Sequence, residues 1–229
     1  MLRLHVFAAP WGINPSPFCL KVETYCRLAG IPFECVQALP FRAPKGKLPF
    51  ITDGDATVAD SGRIIDHLKT RYGDPLDAAL DEEQRARGHL IRRCCEESLY
   101  FVLLDARWID PEGWRTVKPV FFGPLPPVLR DMIAMIARRG IRRALRGQGY
   151  GRHTPEEILA LGAADLAAIA TAVAPYPFAV GARPTSFDAS LYGLLANILL
   201  VPVETGLARE ARRHPGLTAY LDRMRAELG

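Results

Sequence analysis

Residues 2–8, LRLHVFA, alternate apolar and polar side chains, which is the period of a half-buried strand. The loop PWGINPSP follows, dense in Pro, Gly and Asn. Beyond it Cys19, Val22, Cys26 and Ala29 recur at helical spacing, so a helix is expected to start near Phe18 with Pro17 in its first turn. Gly30 ends that helix and Pro32 prevents its resumption. PFECVQA reads as a second strand and LPFITD as a third, and GDATVADS supplies a Gly-Asp turn and a fourth. Asp60 or Ser61 then caps the helix SGRIIDHLKTRYG, whose Ile64, Ile65 and Leu68 share one face and which Gly73 stops. The order is βαβ, then ββα.

After the linker GDPLDAAL at 73–80 the strand signal ends. DEEQRARGHLIRRCCEESLYFVLLDARW reads as a long helix whose acidic first turn suits the helix dipole. Residues 128–146 form an arginine-rich helical stretch. Thr154-Pro155-Glu156-Glu157 is a helix start with a Thr cap and Pro at the first position, and Thr185-Ser186-Phe187-Asp188 is a second capping box, opening an apolar helix over 186–200. HPGLTAYLDRMRAEL closes the chain with one more helix. The expected architecture is an α/β domain at 1–74 and an all-helical domain at 82–229, with no internal repeat.

With 49% hydrophobic and 24% charged residues, the chain has the makings of an ordinary globular core. A net charge of +4 suits an anionic small molecule and is too mild to argue for nucleic acid. The five cysteines, Cys19, Cys26, Cys35, Cys94 and Cys95, are odd in number and none has zinc-ligand spacing, so no metal is expected and a reduced, cytoplasmic chain fits best. The N-terminal apolar stretch is too short for a signal peptide, and LYGLLANILLVPV is shorter than the roughly 18–20 residues of a membrane span.

Two short motifs each have a plain and a chemical reading. Leu48-Pro49 is an edge-strand proline, or a cis-proline that turns the backbone of Leu48 toward a peptide-like ligand. Asp60-Ser61 is a helix cap, or a helix N-terminus whose N–H groups and hydroxyl bind a carboxylate while Asp60 holds an ammonium. Ser16-Pro17-Phe18-Cys19 keeps the spacing of a Cys-x-x-Cys redox motif with serine in place of the first thiol. Cys19 is either a small core residue or a redox-sensitive thiol. Arg138, Arg139, Arg142, Arg143 and Arg146 read as a solvated helix face, with attraction of anionic substrates or membrane surfaces as the alternative.

PSPFCLKVETYCRLAGIPFE, KGKLPFI and DSGRIIDHL, in this order, resemble the thioredoxin-fold domain of the glutathione S-transferase superfamily, and RPTSFDASLYG resembles the capping-box motif of its helical domain. GQGYGRHTPEEI, RPTSFDASLYGLLANIL and HPGLTAYLDRM resemble more narrowly the branch of the failed axon connections proteins and the metaxins. The resemblance covers essentially the whole chain. It implies a thioredoxin-like domain followed by a helical domain, glutathione as co-substrate and a homodimer. SPFCLKV is similar to the serine motif of the plant tau-type enzymes, which implies that Ser16 activates the glutathione thiol. By the same resemblance Leu48 and Pro49 meet the cysteinyl backbone, Asp60 and Ser61 hold the γ-glutamyl end, and Lys47 reaches the glycyl carboxylate. Tyr100, Phe101, Leu104 and Trp108 recur at helical spacing and are core, or, for Tyr100 and Trp108 together with Trp11, part of a second-substrate pocket. Two functions remain open: a glutathione-dependent transferase acting on a small hydrophobic electrophile or peroxide, and a non-catalytic interaction module.

Overall fold

The computed structural model describes all of residues 1–229. Its first third builds one sheet from β1 (Leu2–Val6), β2 (Phe33–Gln37), β3 (Phe50–Asp53) and β4 (Ala56–Ala59), in the order β2-β1-β3-β4. β1 and β2 are parallel and the other two pairs antiparallel. Parallel neighbours need a crossover, which helix α1 (Pro17–Leu28) provides. A two-residue turn with Gly54 at φ 61° joins β3 to β4. Strand alternation gathers Leu2, Leu4, Val6 and Ile51 on one face. There they form a core with Cys19, Val22 and Cys26 of α1 and with Ile64, Ile65 and Leu68 of α2 (Ser61–Tyr72). Between β2 and β3 the chain makes only the single 3-10 turn Pro40–Arg42. The opposite face of the sheet, where His5 stacks on Phe50 at 4.0 Å, therefore stays half-buried.

The remainder is helical. The expected long helix is present as α3 (Glu82–Cys94), a π turn at Cys95–Leu99, α4 (Tyr100–Leu104) and a second π turn at Asp105–Ile109. A helix also forms where none is expected, α5 (Pro111–Phe122). Trp114, Val117 and Phe121 carry the helical spacing there, and Pro119 inside the helix masks it. Then follow α6 (Pro127–Gln148), α7 (Pro155–Val173), α8 (Ser186–Leu199), the short α9 (Gly206–Arg212) and α10 (Pro215–Leu228). Both expected capping boxes form, Thr154 with Glu157 and Thr185 with Asp188. No helix is long and apolar enough to cross a membrane. Arg139, Arg142, Arg143 and Arg146 lie exposed on α6, but Arg138 does not join them. Its guanidinium donates to the carbonyls of Trp108 and Ile109, both at 2.8 Å, and covers the Trp114 ring at 4.9 Å. A planar fork that finds two carbonyls and an aromatic face leaves the solvated stripe.

α8 is buried from Ser186 to Ile198 and packs against α1. Gly193 allows the approach: a Cβ there would lie 2.6 Å from the Pro17 carbonyl oxygen. Several polar groups trapped between the two halves are paired, as burial favours. Lys21 of α1 meets Glu96 at 2.6 Å, and the Ser190 hydroxyl donates to the same carboxylate oxygen at 2.9 Å. Asp77, in the linker, accepts from the Ser186 N–H at 2.8 Å and pairs with Lys69.

Candidate functional site

Ser16 is the N-cap of α1. It has extended backbone (φ −96°, ψ 118°), and its Oγ accepts from the Cys19 N–H at 3.3 Å. That bond uses an acceptor of the hydroxyl and leaves its proton free to be donated. The loop leading to Ser16 is held from several sides. Asn14 Oδ1 accepts from the Ser16 N–H at 3.1 Å, and Asn14 Nδ2 donates to the Phe7 carbonyl at 3.1 Å and to Glu23 at 3.0 Å. Asn197 of α8 donates to the Asn14 carbonyl at 3.1 Å, and Arg107, in the second π turn, donates to the Pro15 carbonyl at 2.9 Å. The expectations from sequence omit Asn14, Arg107 and Asn197. Their signal is present all the same: Asn197 is the polar residue inside LLANILL and Arg107 interrupts an apolar helix face, and buried polar residues are rare enough to mark such positions.

Cys19 is fully buried, and burial pushes its thiol up to about 12. It is a core residue and is held in the neutral, unreactive form.

The Leu48–Pro49 peptide is cis. Leu48 is buried, yet neither its N–H nor its C=O is hydrogen-bonded within the chain. Buried main-chain groups are nearly always paired, so this residue offers a donor and an acceptor in the manner of an open strand edge. Lys47 beside it is exposed and joins no ion pair. Asp60, and not Ser61, caps α2: its Oδ1 accepts from the Gly62 N–H at 3.0 Å and the Arg63 N–H at 3.4 Å. Asp60 is also the one non-glycine residue at positive φ, 88°. Such strain persists where the surrounding structure imposes it, often at ligand sites. Ser61 is then the first helical residue. It is buried and its hydroxyl has no partner in the chain.

Trp11 and Trp108 come together around Phe121, at 5.6 and 5.9 Å between ring centroids. Tyr100 does not join them; it packs edge-on to Phe18 at 4.8 Å. A cleft of about 710 Å³ opens between the half-buried sheet face and α5, lined among others by Phe7, Pro10, Leu39, Arg42, Phe121 and Pro124. Its size suits a small ligand. Nowhere are three His, Cys, Asp or Glu side chains gathered as a metal site.

A thioredoxin-like sheet with a cis-proline before β3, joined to a helical half built around one buried helix, is the architecture of the glutathione S-transferases. The Glutathione S-transferase N-terminal domain family matches residues 17–113 and the Glutathione S-transferase, C-terminal domain family residues 162–224. The chain is 35% identical to the isoprene-epoxide glutathione S-transferase of a Rhodococcus species, over 99% of both chains. It is 32% identical to Failed axon connections of Drosophila melanogaster over 80% of this chain and 46% of that one, and 24% identical to mouse Metaxin-2 over 93% and 82%. Among solved structures, the beta-etherase LigF of a Sphingobium species superposes with a TM-score of 0.72 at 19% identity, covering 98% and 95% of the two chains. The chain belongs to the glutathione S-transferase superfamily, on the side where failed axon connections and metaxin relatives are found.

Proposed function

We propose that this protein is a glutathione transferase that joins the thiol of glutathione to a small hydrophobic electrophile, with epoxides the first class to test. The observation that carries the reading is Leu48, buried behind a cis-proline with its N–H and C=O both unpartnered. In this reading these two groups pair with the cysteinyl backbone of glutathione. Ser61 offers its free hydroxyl to the γ-glutamyl carboxylate at the start of α2, where the helix dipole favours an anion. Asp60 keeps its second carboxylate oxygen for the ammonium, and Lys47 reaches the glycyl carboxylate. Bound glutathione supplies a sulfur nucleophile. Ser16 donates a hydrogen bond to the thiolate form and so enlarges the ionised fraction at neutral pH. The electrophile lies in the cleft beside Phe7, Leu39 and Phe121, and Trp11 and Trp108 support Phe121 from behind. The name of the 35% identical relative motivates the choice of epoxides.

Calorimetry tests the site. Glutathione is expected to bind, and Ser61→Ala is expected to weaken it by about 1.5–3 kcal/mol, the worth of a hydrogen bond to a charged group. Unchanged affinity in Ser61→Ala removes Ser61 from the site, and no binding at millimolar ligand removes the site. The failed axon connections and metaxin relatives support the second reading, a non-catalytic module. Glutathione binding with no turnover of any epoxide or aryl halide would favour it. We further propose a cytoplasmic homodimer, with the sheet domain of one subunit against the helices of its partner. Light scattering that gave the mass of a single chain would rule the dimer out.

A further inference from the structure

Arg107 is 5% exposed and faces no carboxylate. Its Nη1 donates to the Pro15 carbonyl at 2.9 Å and its Nη2 to the Asn197 carbonyl, while its Nε has no partner. The guanidinium carbon lies 5.8 Å from the centroid of the Trp11 ring. The Pro15 carbonyl belongs to the peptide unit whose nitrogen is that of Ser16, and the other end of that unit is fixed by Asn14. No acidic side chain forms an ion pair with Arg107. Tyr100 and Cys19 are pushed up to about 12 by burial, and Glu23, raised from the ordinary carboxylate range by burial, is engaged by Asn14. Burial also depresses Arg107, to about 9. A cation taken out of water without a counter-charge is costly and is usually paired. Two carbonyl dipoles and one aromatic face are partial compensation.

We propose that Arg107 is the positioning residue of the Ser16 loop, and that the negative charge it lacks within the chain is the thiolate of glutathione bound at Ser16. This rests on the functional reading above and extends it to the helical half. Arg107 clamps the Pro15–Ser16 peptide and so aims the Ser16 hydroxyl. Its charge acts through a poorly hydrated corner and favours the anion over the thiol. No bond is made or broken at Arg107, and the proton leaves the sulfur for solvent. Asn197 holds the same loop through the Asn14 carbonyl, one residue upstream.

The test is a thiolate absorbance titration of the glutathione complex of the parent, Arg107→Met and Arg107→Lys, with S-methylglutathione as a ligand that has no ionisable thiol. Arg107→Met is expected to raise the bound thiol's pKa by about one unit, roughly a three- to eightfold fall in thiolate at pH 7 for a parent value of about 6.5–7.5, and to leave S-methylglutathione affinity within about threefold. Arg107→Lys keeps the charge and loses the fork, so it is expected to recover part of the shift while kcat stays low. A bound thiol equally acidic in parent and Arg107→Met overturns the proposal and leaves Ser16 in place. No glutathione binding by the parent overturns the functional reading together with it. Should Arg107→Met fail to fold, the parent still decides. The NMR resonance of the Arg107 Nε–H is expected to move as the bound glutathione thiol is titrated and to stay still with S-methylglutathione. A resonance indifferent to the thiol overturns the proposal.

Discussion

Ser16→Ala is expected to leave glutathione bound and to move the pH dependence of turnover upward. In the proposed site affinity comes from the two ends of the tripeptide, at Lys47, Asp60 and Ser61, and from the main chain of Leu48. Ser16 acts on the sulfur alone. Loss of a hydrogen bond to the thiolate costs about 1.5–3 kcal/mol. That is roughly one to two pKa units and returns the thiol toward its free value near 8.5. The sign follows directly. The donor favours the anion, so removing it raises the pKa, and the rate near pH 7 falls by about tenfold or more. The deficit shrinks as pH approaches the free-thiol value, where both proteins hold ionised thiol. Ser16 also caps α1 through the Cys19 N–H, so Ser16→Ala carries a separate stability loss of about 1 kcal/mol. The two effects are separable: the cap moves the melting temperature and has no effect on the pH profile. Ser16→Thr keeps cap and hydroxyl and is expected to restore both. A thiolate titration curve identical in parent and Ser16→Ala would make Ser16 a helix cap and nothing more.

Asp188→Ala is expected to be strongly destabilising. The carboxylate is fully buried and all its partners are protein groups. Oδ1 accepts from the Ala179 N–H at 2.7 Å and the Tyr220 hydroxyl at 3.0 Å, and Oδ2 accepts from the N–H and hydroxyl of Thr185 at 2.8 and 2.7 Å. One side chain thus caps α8, fixes the loop before it and ties in α10. Alanine strands several buried donors, each at about 1–3 kcal/mol, so the loss is expected to be about 3 kcal/mol or more. Denaturant unfolding followed by far-UV circular dichroism measures it. A loss under about 1 kcal/mol would mean that water replaces the carboxylate.

Features set by neighbours along the chain were legible in the sequence. The four strands, the glycine that ends α1, both capping boxes and the acidic start of α3 depend on residues a few positions apart. The cis Leu48–Pro49 bond was legible by its place between the βαβ and ββα units and not by its dipeptide. What escaped depends on contacts made at a distance. Asn14, Arg107 and Asn197 lie in separate segments, and only the fold shows that they hold one loop. The same holds for Arg138: its spacing places it in the arginine stripe, while the carbonyls of Trp108 and Ile109 draw it out. The choice of Asp60 over Ser61 as cap was open in the sequence because both residue types suit the position, and the bonds from the Gly62 and Arg63 N–H groups to Asp60 Oδ1 decide it. Trp11, Tyr100 and Trp108, the aromatics offered for a second-substrate pocket, are not among the side chains that line the cleft, since helical spacing cannot tell which of several aromatics meets the sheet.

The grip of the helical half on the Ser16 loop bears on how such chains can be recombined. The sheet half and the helical half of this chain are joined in sequence only at the linker before α3. Here a cut at that linker runs through the contacts that hold the Ser16 loop. Arg107 and Asn197 lie on one side of the cut, while Pro15 and Asn14, whose carbonyls they hold, lie on the other. Glu96, the counter-ion of the buried Lys21, is severed from it too. A chimera that took residues 1–74 from this chain and its helices from a relative lacking the arginine at that turn and the glutamate at position 96 would keep the Asn14 bonds of the Ser16 loop but lose its Arg107 clamp, and would leave Lys21 without its partner. The unit to move intact is therefore the loop together with the second π turn and α8, although they lie far apart in sequence.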